Sequence, residues 1–160
     1  MNKSEIEKDE NKTPTVLVVD DNQENLELLQ AYLEDMDCRT IPATDGIQAL
    51  DIIASEPVDL ILLDIMMPKM SGFEVCKKVK NDPKTNDIPV IMVTALTEFG
   101  DIERAIDSGT DDFLSKPVNK LELLTRVRTM LKLKHLTDKL ERTLAYLSEV
   151  EKQAQAAKAD

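Results

Sequence analysis

The sequence predicts an α/β fold in which a doubly wound parallel sheet carries helices on both faces. Apolar runs of strand length alternate with segments of helical periodicity through five successive units, which is the pattern of βαβ proteins. The run 60–63 is entirely aliphatic, as expected for a strand buried on both faces. This run ends at Asp64, and the first run ends at Asp20 and Asp21. We therefore expect carboxylates at the carboxyl ends of central strands, where open α/β sheets bind their ligands.

The first unit follows a charged segment, residues 1–14, that we expect to be a disordered tail. Residues 15–19 are mostly β-branched and predict a strand. Asn22 is a suitable N-cap for a helix over 22–36, in which three leucines recur at helical spacing: Leu26, Leu29 and Leu33. Residues 38–43 predict a shorter strand, and Pro42 favours an edge position because proline cannot donate a ladder hydrogen bond.

The second helix is predicted to follow the turn 44–46 and to end before Pro57. One stripe of its residues is expected to be buried: Ile47, Leu50, Ile53 and Ala54. After the central strand the chain breaks at Pro68 and Gly72. A third helix is predicted over 73–81, packing through Phe73, Cys76 and Val79.

The last two units repeat this order. Residues 88–93 predict an apolar strand, and a helix is expected from about 98 to 108 with Gly109 as its C′ residue. A short strand over 111–115 precedes Lys116-Pro117, and a long helix is expected to begin near Asn119. Because parallel crossovers are right-handed, few topologies remain. The flavodoxin-like strand order 2-1-3-4-5 is one of them, and it brings the ends of strands 1 and 3 together.

In that order Asp20, Asp21 and Asp64 share one crevice. Carboxylates that converge in a partly desolvated site repel one another unless a cation joins them. Oxygen donors without histidine or cysteine favour Mg²⁺. Thr94 and Lys116, at the ends of strands 4 and 5, add a hydroxyl and an ammonium group. This set of groups suits phosphoryl transfer with Asp64 as the nucleophile and Asp20 and Asp21 as metal ligands.

Four segments at the strand ends, LVVDDN, LLDIMMPKMSG, VIMVTA and FLSKP, resemble the receiver domain of bacterial two-component response regulators, of which chemotaxis receivers are an example. The resemblance covers about residues 15–133. It implies that Asp64 becomes a 4-aspartylphosphate. It also implies that Asp20, Asp21 and Asp64 bind Mg²⁺ together with the backbone carbonyl of Met66.

The resemblance further implies how such a domain signals. Thr94 and Lys116 would contact the phosphoryl group, Lys116-Pro117 would be a cis peptide, and Phe113 would be the aromatic switch that rotates inward behind Thr94. The surface of helix 4, strand 5 and helix 5 would change as a result, and the dimer state would change with it. The implied phosphodonor is a histidine kinase or a histidine phosphotransfer protein. The domain would not be an enzyme beyond catalysing its own phosphorylation and dephosphorylation.

Composition argues against several other classes. The net charge of -11 disfavours a nucleic-acid partner, which requires a basic face. No apolar run approaches the roughly 20 residues that span a bilayer, and the charged N-terminus lacks a signal-peptide core, so we expect no membrane partner and a cytoplasmic location. Cys38 and Cys76 lack the spacing and histidine neighbours of a metal site. The one histidine, His135, is expected to be solvated rather than a phosphodonor.

Residues 133–160 are expected to form a helical extension of a receiver domain at 15–132. Their apolar residues occupy a and d positions of a heptad, with Thr143 at one polar d position: Leu133, Leu136, Leu140, Leu147, Val150, Ala154 and Ala157. This pattern favours a parallel coiled-coil homodimer; a single amphipathic helix that folds back on its own domain is the alternative. The chain is either a stand-alone receiver or a fragment of a longer regulator with an enzymatic output module. The last predicted helix stops at Asp160 without a Gly or Pro to end it, which favours the interpretation as a fragment.

Three rival functions require different residues. Haloacid-dehalogenase-like phosphatases carry the motif DxDxT after the central strand. Here Asp64 is followed by Ile65-Met66-Met67, so the second acid and the threonine of that motif are missing. A flavin binder needs backbone donors and hydroxyls in its first loop, and that loop is acidic here. A receiver that signals by binding alone has no need for the combination of Asp64, Thr94 and Lys116.

Overall fold

The structure is a computed structural model that describes residues 12–95 and 99–159. The strands are β1 (Thr15–Val19), β2 (Arg39–Ala43), β3 (Leu60–Asp64), β4 (Val90–Thr94) and β5 (Asp112–Ser115). The helices are α1 (Gln23–Leu33), α2 (Gly46–Ser55), α3 (Gly72–Asn81), α4 (Phe99–Asp107) and α5 (Lys120–Ala159). The tail predicted at 1–14 lies outside the described residues except for its last three, as does Glu98 at the predicted start of α4.

The strands form one parallel sheet in the order β2-β1-β3-β4-β5, so the predicted flavodoxin-like topology is confirmed. Every residue of β1, β3 and β4 is buried, whereas β2 at the edge is partly exposed and contains Pro42. Val19 pairs with both Ala43 and Leu63, and Asp64 pairs with Val93. This register aligns the carboxyl ends of β1, β3 and β4, each of which brings a polar residue to the same edge of the sheet.

Aliphatic side chains alternate between the two faces of the sheet and form two cores. On one face Val16, Val18 and Leu62 pack with residues of α1 and α5. On the other face Leu17 and Leu63 pack with residues of α2, α3 and α4. The sheet is thus packed between two layers of helices, and this packing fixes the positions of the strand ends that carry the candidate site.

The helix boundaries depend on capping contacts. Asn22 caps α1 by accepting a hydrogen bond from the Asn25 N–H at 3.1 Å, and Asn119 accepts one from the Glu122 N–H at 3.0 Å at the start of α5. Both predicted starts are therefore confirmed. Helix α1 ends at Leu33, earlier than the predicted Met36.

The buried stripe predicted for α2 is partly wrong. Ile47 is 53% exposed and Ala54 is exposed, while Gly46 and Ala49 are the fully buried residues of the helix. A Cβ on Gly46 would lie 2.8 Å from a methyl carbon of Val75 on α3. Close packing between α2 and α3 therefore buries the smallest side chains of α2, and a hydrophobicity pattern does not reveal such a contact.

The chain consists of two compact units, of which one is residues 13–131 and the other contains residues 132–159. In the first unit, α5 buries Leu123, Leu124 and Val127. In the second, the helix continues to Ala159 and its aliphatic side chains are exposed: Leu133, Leu136, Leu140, Leu144, Leu147 and Val150. The domain boundaries given above stay predictions. No helix among the described residues is both long enough and apolar enough to cross a membrane.

Candidate functional site

Acidic side chains meet at the carboxyl edge of the sheet, beyond β1 and β3. Asp20 follows β1 and is 1% exposed, and Asp64 ends β3 and is 5% exposed, whereas Asp21 is exposed. One carboxylate oxygen from each of the three lies within 4.8 Å of the others. The backbone N–H of Asn22 donates to the Asp20 carboxylate at 2.9 Å, and that of Met66 donates to the Asp64 carboxylate at 3.3 Å. The predicted convergence of these side chains is thus present.

Lys116 reaches this acidic cluster from the end of β5. Its Nζ donates to an Asp20 carboxylate oxygen at 3.0 Å and lies 3.4 Å from an Asp64 carboxylate oxygen. Its backbone N–H donates to the Thr94 carbonyl at 2.9 Å, which joins the ends of β4 and β5. The peptide between Lys116 and Pro117 is cis, as the sequence resemblance implied. The ammonium group therefore bridges two carboxylates that come from different strands.

The charges in this cluster perturb one another. Burial raises the pKa of Asp64 above its ordinary value, the Lys116 charge lowers it, and the Asp20 charge raises it further. For Lys116, burial by itself lowers the pKa, but its hydrogen bond to Asp20 and the charge of Asp64 raise it above the ordinary value. Lys116 consequently stays protonated near neutral pH, whereas the raised pKa of Asp64 means that the site favours the neutral form of this carboxyl more than water does.

The loop after β3 packs directly beneath Asp64. The Gly72 N–H donates to the Ile65 carbonyl at 2.9 Å, and a Cβ on Gly72 would overlap the Asp64 carbonyl oxygen and lie 2.8 Å from the Ile65 Cα. Only glycine permits this approach. From the sequence, Gly72 was predicted only as a break in the chain; its position eight residues after the carboxylate is visible there, but the contact is not.

Three further residues of the predicted site lie on β4, on β5 and in the loop after β3. Thr94 is 5% exposed at the end of β4, one residue beyond the Val93 that pairs with Asp64. Phe113 on β5 pairs with Met92 and is half-buried against the core that includes Ala105 of α4. Met66 is 65% exposed in the loop after β3. Its role as a carbonyl ligand and the switch role of Phe113 stay predictions.

The acidic cluster fits a hard divalent cation. It offers oxygen atoms only, from two buried carboxylates and one exposed carboxylate within a few ångströms of one another. Mg²⁺ prefers such donors and usually keeps several water ligands. Because Asp21 is exposed, water can reach this side of the cluster. Asp20, Asp21 and Asp64 are the residues that would hold it.

Comparison with known families identifies the domain that carries this site. The response regulator receiver domain family matches residues 16–128. This chain belongs to that family. Receiver domains generally bind Mg²⁺, and they are signalling domains of two-component response regulators. The match begins at the second residue of β1, covers the other four strands completely and includes Asp20, Asp21, Asp64, Thr94 and Lys116.

Individual relatives agree with this assignment. The chain is 45% identical over 125 residues to the response regulator PleD of Caulobacter vibrioides, a match that covers 78% of this chain and 28% of PleD. It is 40% identical over 119 residues to RpaA of Synechocystis, named a DNA-binding dual master transcriptional regulator, covering 74% of this chain and 49% of RpaA. The chain thus spans between about a quarter and half of the length of these curated relatives.

A solved structure with the same fold is the CheY-like response regulator receiver domain protein of Methanospirillum hungatei JF-1. The TM-score is 0.74 at 26% identity, and the alignment covers 79% of this chain and 99% of that one. The fold assigned from strand order is therefore also that of an experimentally determined receiver domain.

Proposed function

We propose that this domain accepts a phosphoryl group on Asp64 and signals through the change of shape that follows. The observation that carries the proposal is the meeting of Asp64 with two partners, buried Asp20 after the neighbouring strand β1 and half-buried Lys116 after β5. A carboxylate nucleophile next to a fixed ammonium group is the arrangement that phosphoryl transfer requires, because catalysis there is mainly alignment and charge neutralisation.

Each residue has a distinct part in the proposed reaction. An oxygen of the Asp64 carboxylate attacks phosphorus, the bond from phosphorus to the donor nitrogen breaks, and an acyl phosphate remains on Asp64. Lys116 neutralises charge on the transferred oxygens, and Thr94 donates its hydroxyl to one of them. A bound Mg²⁺ would supply further charge neutralisation, with Asp20, Asp21, Asp64 and the Met66 carbonyl as its protein ligands. The domain would catalyse only its own phosphorylation and dephosphorylation.

The proposed donor is a phosphohistidine on a histidine kinase or a histidine phosphotransfer protein. Family membership supports this choice, because receiver domains take part in two-component signalling. We place the reaction in the cytoplasm, in keeping with the two free thiols of Cys38 and Cys76. A chain with net charge -11 offers little to nucleic acid, so we propose a protein partner for the described domain.

The proposed output surface comprises α4, β5 and the first turns of α5. Phosphorylation adds nearly two negative charges at Asp64, and Thr94 and Lys116 would move toward them. Phe113, which is half-buried and pairs with Met92, would then turn further inward behind Thr94. Such a movement would alter the surface on which Ile106 is 60% exposed and Leu121 is 73% exposed.

Phosphorylation can be tested with the purified chain, Mg²⁺ and phosphoramidate. We expect intact-mass spectrometry to detect one added phosphoryl group in the parent and none in Asp64→Asn. Asp51→Asn is the matched control, because it removes an exposed carboxylate from α2 and should leave phosphorylation unchanged. Removal of Mg²⁺ with a chelator should prevent the mass increase. A parent chain that gains no mass would favour a receiver that acts by binding alone.

We also propose that residues 133–159 pair with a second copy of the chain as a parallel coiled coil. The support is the aliphatic face of the helix, on which side chains at a and d positions remain about half exposed: Leu133 52%, Leu136 50%, Leu140 59%, Leu147 54% and Val150 43%. Pairing would remove this surface from water, which is the usual driving force for coiled coils. A helix that folds back on its own domain would leave the chain monomeric.

Sedimentation measurements distinguish these arrangements. We expect a dimer for the parent and a monomer for a Leu140→Lys, Leu147→Lys double variant, because the substitutions place charges in the proposed seam. The matched control carries Ala145→Lys and Ser148→Lys, which add the same charges at exposed positions outside the a and d sites. A monomeric parent, or a double variant that dimerises as well as the control, would contradict the coil.

A further inference from the structure

An aromatic side chain of α3 contacts a charged side chain of α4. Phe73 is the second residue of α3 and is 8% exposed. The guanidinium carbon of Arg104 lies 4.5 Å from the centroid of the Phe73 ring. Cation–π attraction operates within about 6 Å of a ring centroid, so this contact contributes to the attraction between the two helices.

Phe73 is also coupled to the phosphoryl acceptor through the backbone. It directly follows Gly72, whose N–H donates to the Ile65 carbonyl at 2.9 Å and where an added Cβ would overlap the Asp64 carbonyl oxygen. The backbones at the end of β3 and at the start of α3 therefore lie very close together. A displacement of the backbone at Asp64 would therefore act on Gly72 and on the adjoining Phe73.

Residues 102–107, the part of helix α4 whose side chains the structure describes, bury little apolar surface that could resist such a displacement. Among residues 102–107, Ala105 is buried, while Ile102 is 41% exposed and Ile106 is 60% exposed. Segments with few buried apolar contacts rearrange at low free-energy cost. A contact as small as the one between Arg104 and Phe73 can therefore account for a substantial part of the preference of α4 for its position.

We propose that Arg104 and Phe73 form a latch that keeps α4 in its unphosphorylated arrangement and releases it when the Asp64 backbone moves. This inference rests on the proposed phosphorylation of Asp64. The groove between the helices has a volume of about 320 Å³ and provides space for the guanidinium group to leave the ring; it is lined by Phe73, Glu74, Lys77, Arg104, Asp107 and Ser108. The latch shares no residue with Thr94 and Phe113, so it is a second connection between the acceptor and α4.

The latch can be tested on the full chain by titration with beryllofluoride, a mimic of the acyl phosphate, in the presence of Mg²⁺. Amide NMR signals of α4 report the binding. An exposed cation–π contact corresponds to about a two- to fivefold change in an equilibrium constant, and its loss removes a stabilising contact from the inactive state only. We expect Phe73→Leu and Arg104→Met each to lower the apparent Kd for beryllofluoride by about this factor.

Two comparisons make the test specific. Lys77→Met removes an exposed positive charge from the same groove and should leave the apparent Kd at the parent value. The Phe73→Leu, Arg104→Met double variant should gain no more than either single variant, because both remove one contact. Equal Kd values for Arg104→Met and Lys77→Met, or multiplicative effects in the double variant, would overturn the latch. A parent chain that fails to bind beryllofluoride would instead refute the proposed function.

Discussion

The two parts of helix α5 carry aliphatic residues at the same helical spacing, but these residues lie in opposite environments. In its first turns Leu123 and Val127 are fully buried, with 0% exposure, because they face the sheet and α1. Beyond residue 132, Leu136 and Leu140 recur at the same helical spacing and are 50% and 59% exposed. Hydrophobic periodicity therefore identifies the apolar face of a helix, but it does not identify the surface that buries this face. The first unit supplies its own partner, whereas the proposed partner of the second is another chain.

The largest expected effect separates these two environments directly. Leu123→Ala should lower the free energy of unfolding by about 2–5 kcal/mol, because it leaves a cavity in a closed core. Leu140→Ala should change it by no more than about 0.5 kcal/mol at protein concentrations too low for pairing. Urea unfolding of both variants measures the difference. Similar losses for the two variants in dilute solution would show that the later leucines are buried within a single chain.

The same contrast explains how far the sequence predicts the fold. Continuous aliphatic runs such as 60–63 predicted the central strands correctly, since burial on both faces leaves no room for polar residues. The prediction was wrong for Ile47 on α2, where close approach of α3 selects small residues instead of large ones. Such packing depends on the distance between helices, which is set by the whole domain and not by the local pattern.

The sequence predicted which residues form the candidate site, but it did not predict which of them are buried or which of them contact one another. Strand order alone indicated that Asp20, Asp21 and Asp64 would meet, because parallel strands end at one edge of the sheet. The sequence did not indicate that Asp20 is buried while Asp21 is exposed, or that Lys116 bridges Asp20 and Asp64. These details follow from backbone geometry after each strand.

A second prediction concerns Lys116, whose partners lie within one chain. Lys116→Met should lower the free energy of unfolding by about 1–3 kcal/mol in the absence of divalent ions, because Asp20 and Asp64 then repel each other without a neighbouring cation. Added Mg²⁺ should restore part of the loss. The exposed Lys78 on α3 offers a matched control, Lys78→Met.

The effect of Lys116→Met should not depend on protein concentration, in contrast to substitutions in the proposed seam. Thermal unfolding over a hundredfold concentration range, with and without Mg²⁺, checks this. If Lys116→Met and Lys78→Met were equally stable without Mg²⁺, the bridge between Asp20 and Asp64 would contribute nothing measurable to folding.

The smallest expected effect concerns Asp64, whose pKa burial raises above its ordinary value of 3.8. A raised pKa means that the folded state binds the proton more tightly than the unfolded state, so ionisation of Asp64 lowers stability as the pH rises through that pKa. Asp64→Asn should therefore be more stable than the parent at pH 7 without divalent ions. The difference should shrink as the pH falls toward 3.8, where Asp64 is increasingly protonated in both states.

Urea unfolding between about pH 4 and pH 8 measures this difference, with Asp51→Asn as the control for loss of an exposed carboxylate. The gain should be modest, because the Lys116 charge already lowers the pKa of Asp64 and offsets part of the cost of burial. Mg²⁺ should reverse the order of stability, since the parent retains a carboxylate ligand that the variant lacks. A parent that is more stable than Asp64→Asn at pH 7 without Mg²⁺ would mean that Lys116 fully compensates the buried charge, and the site would then hold no unfavourable electrostatic energy for metal binding to relieve.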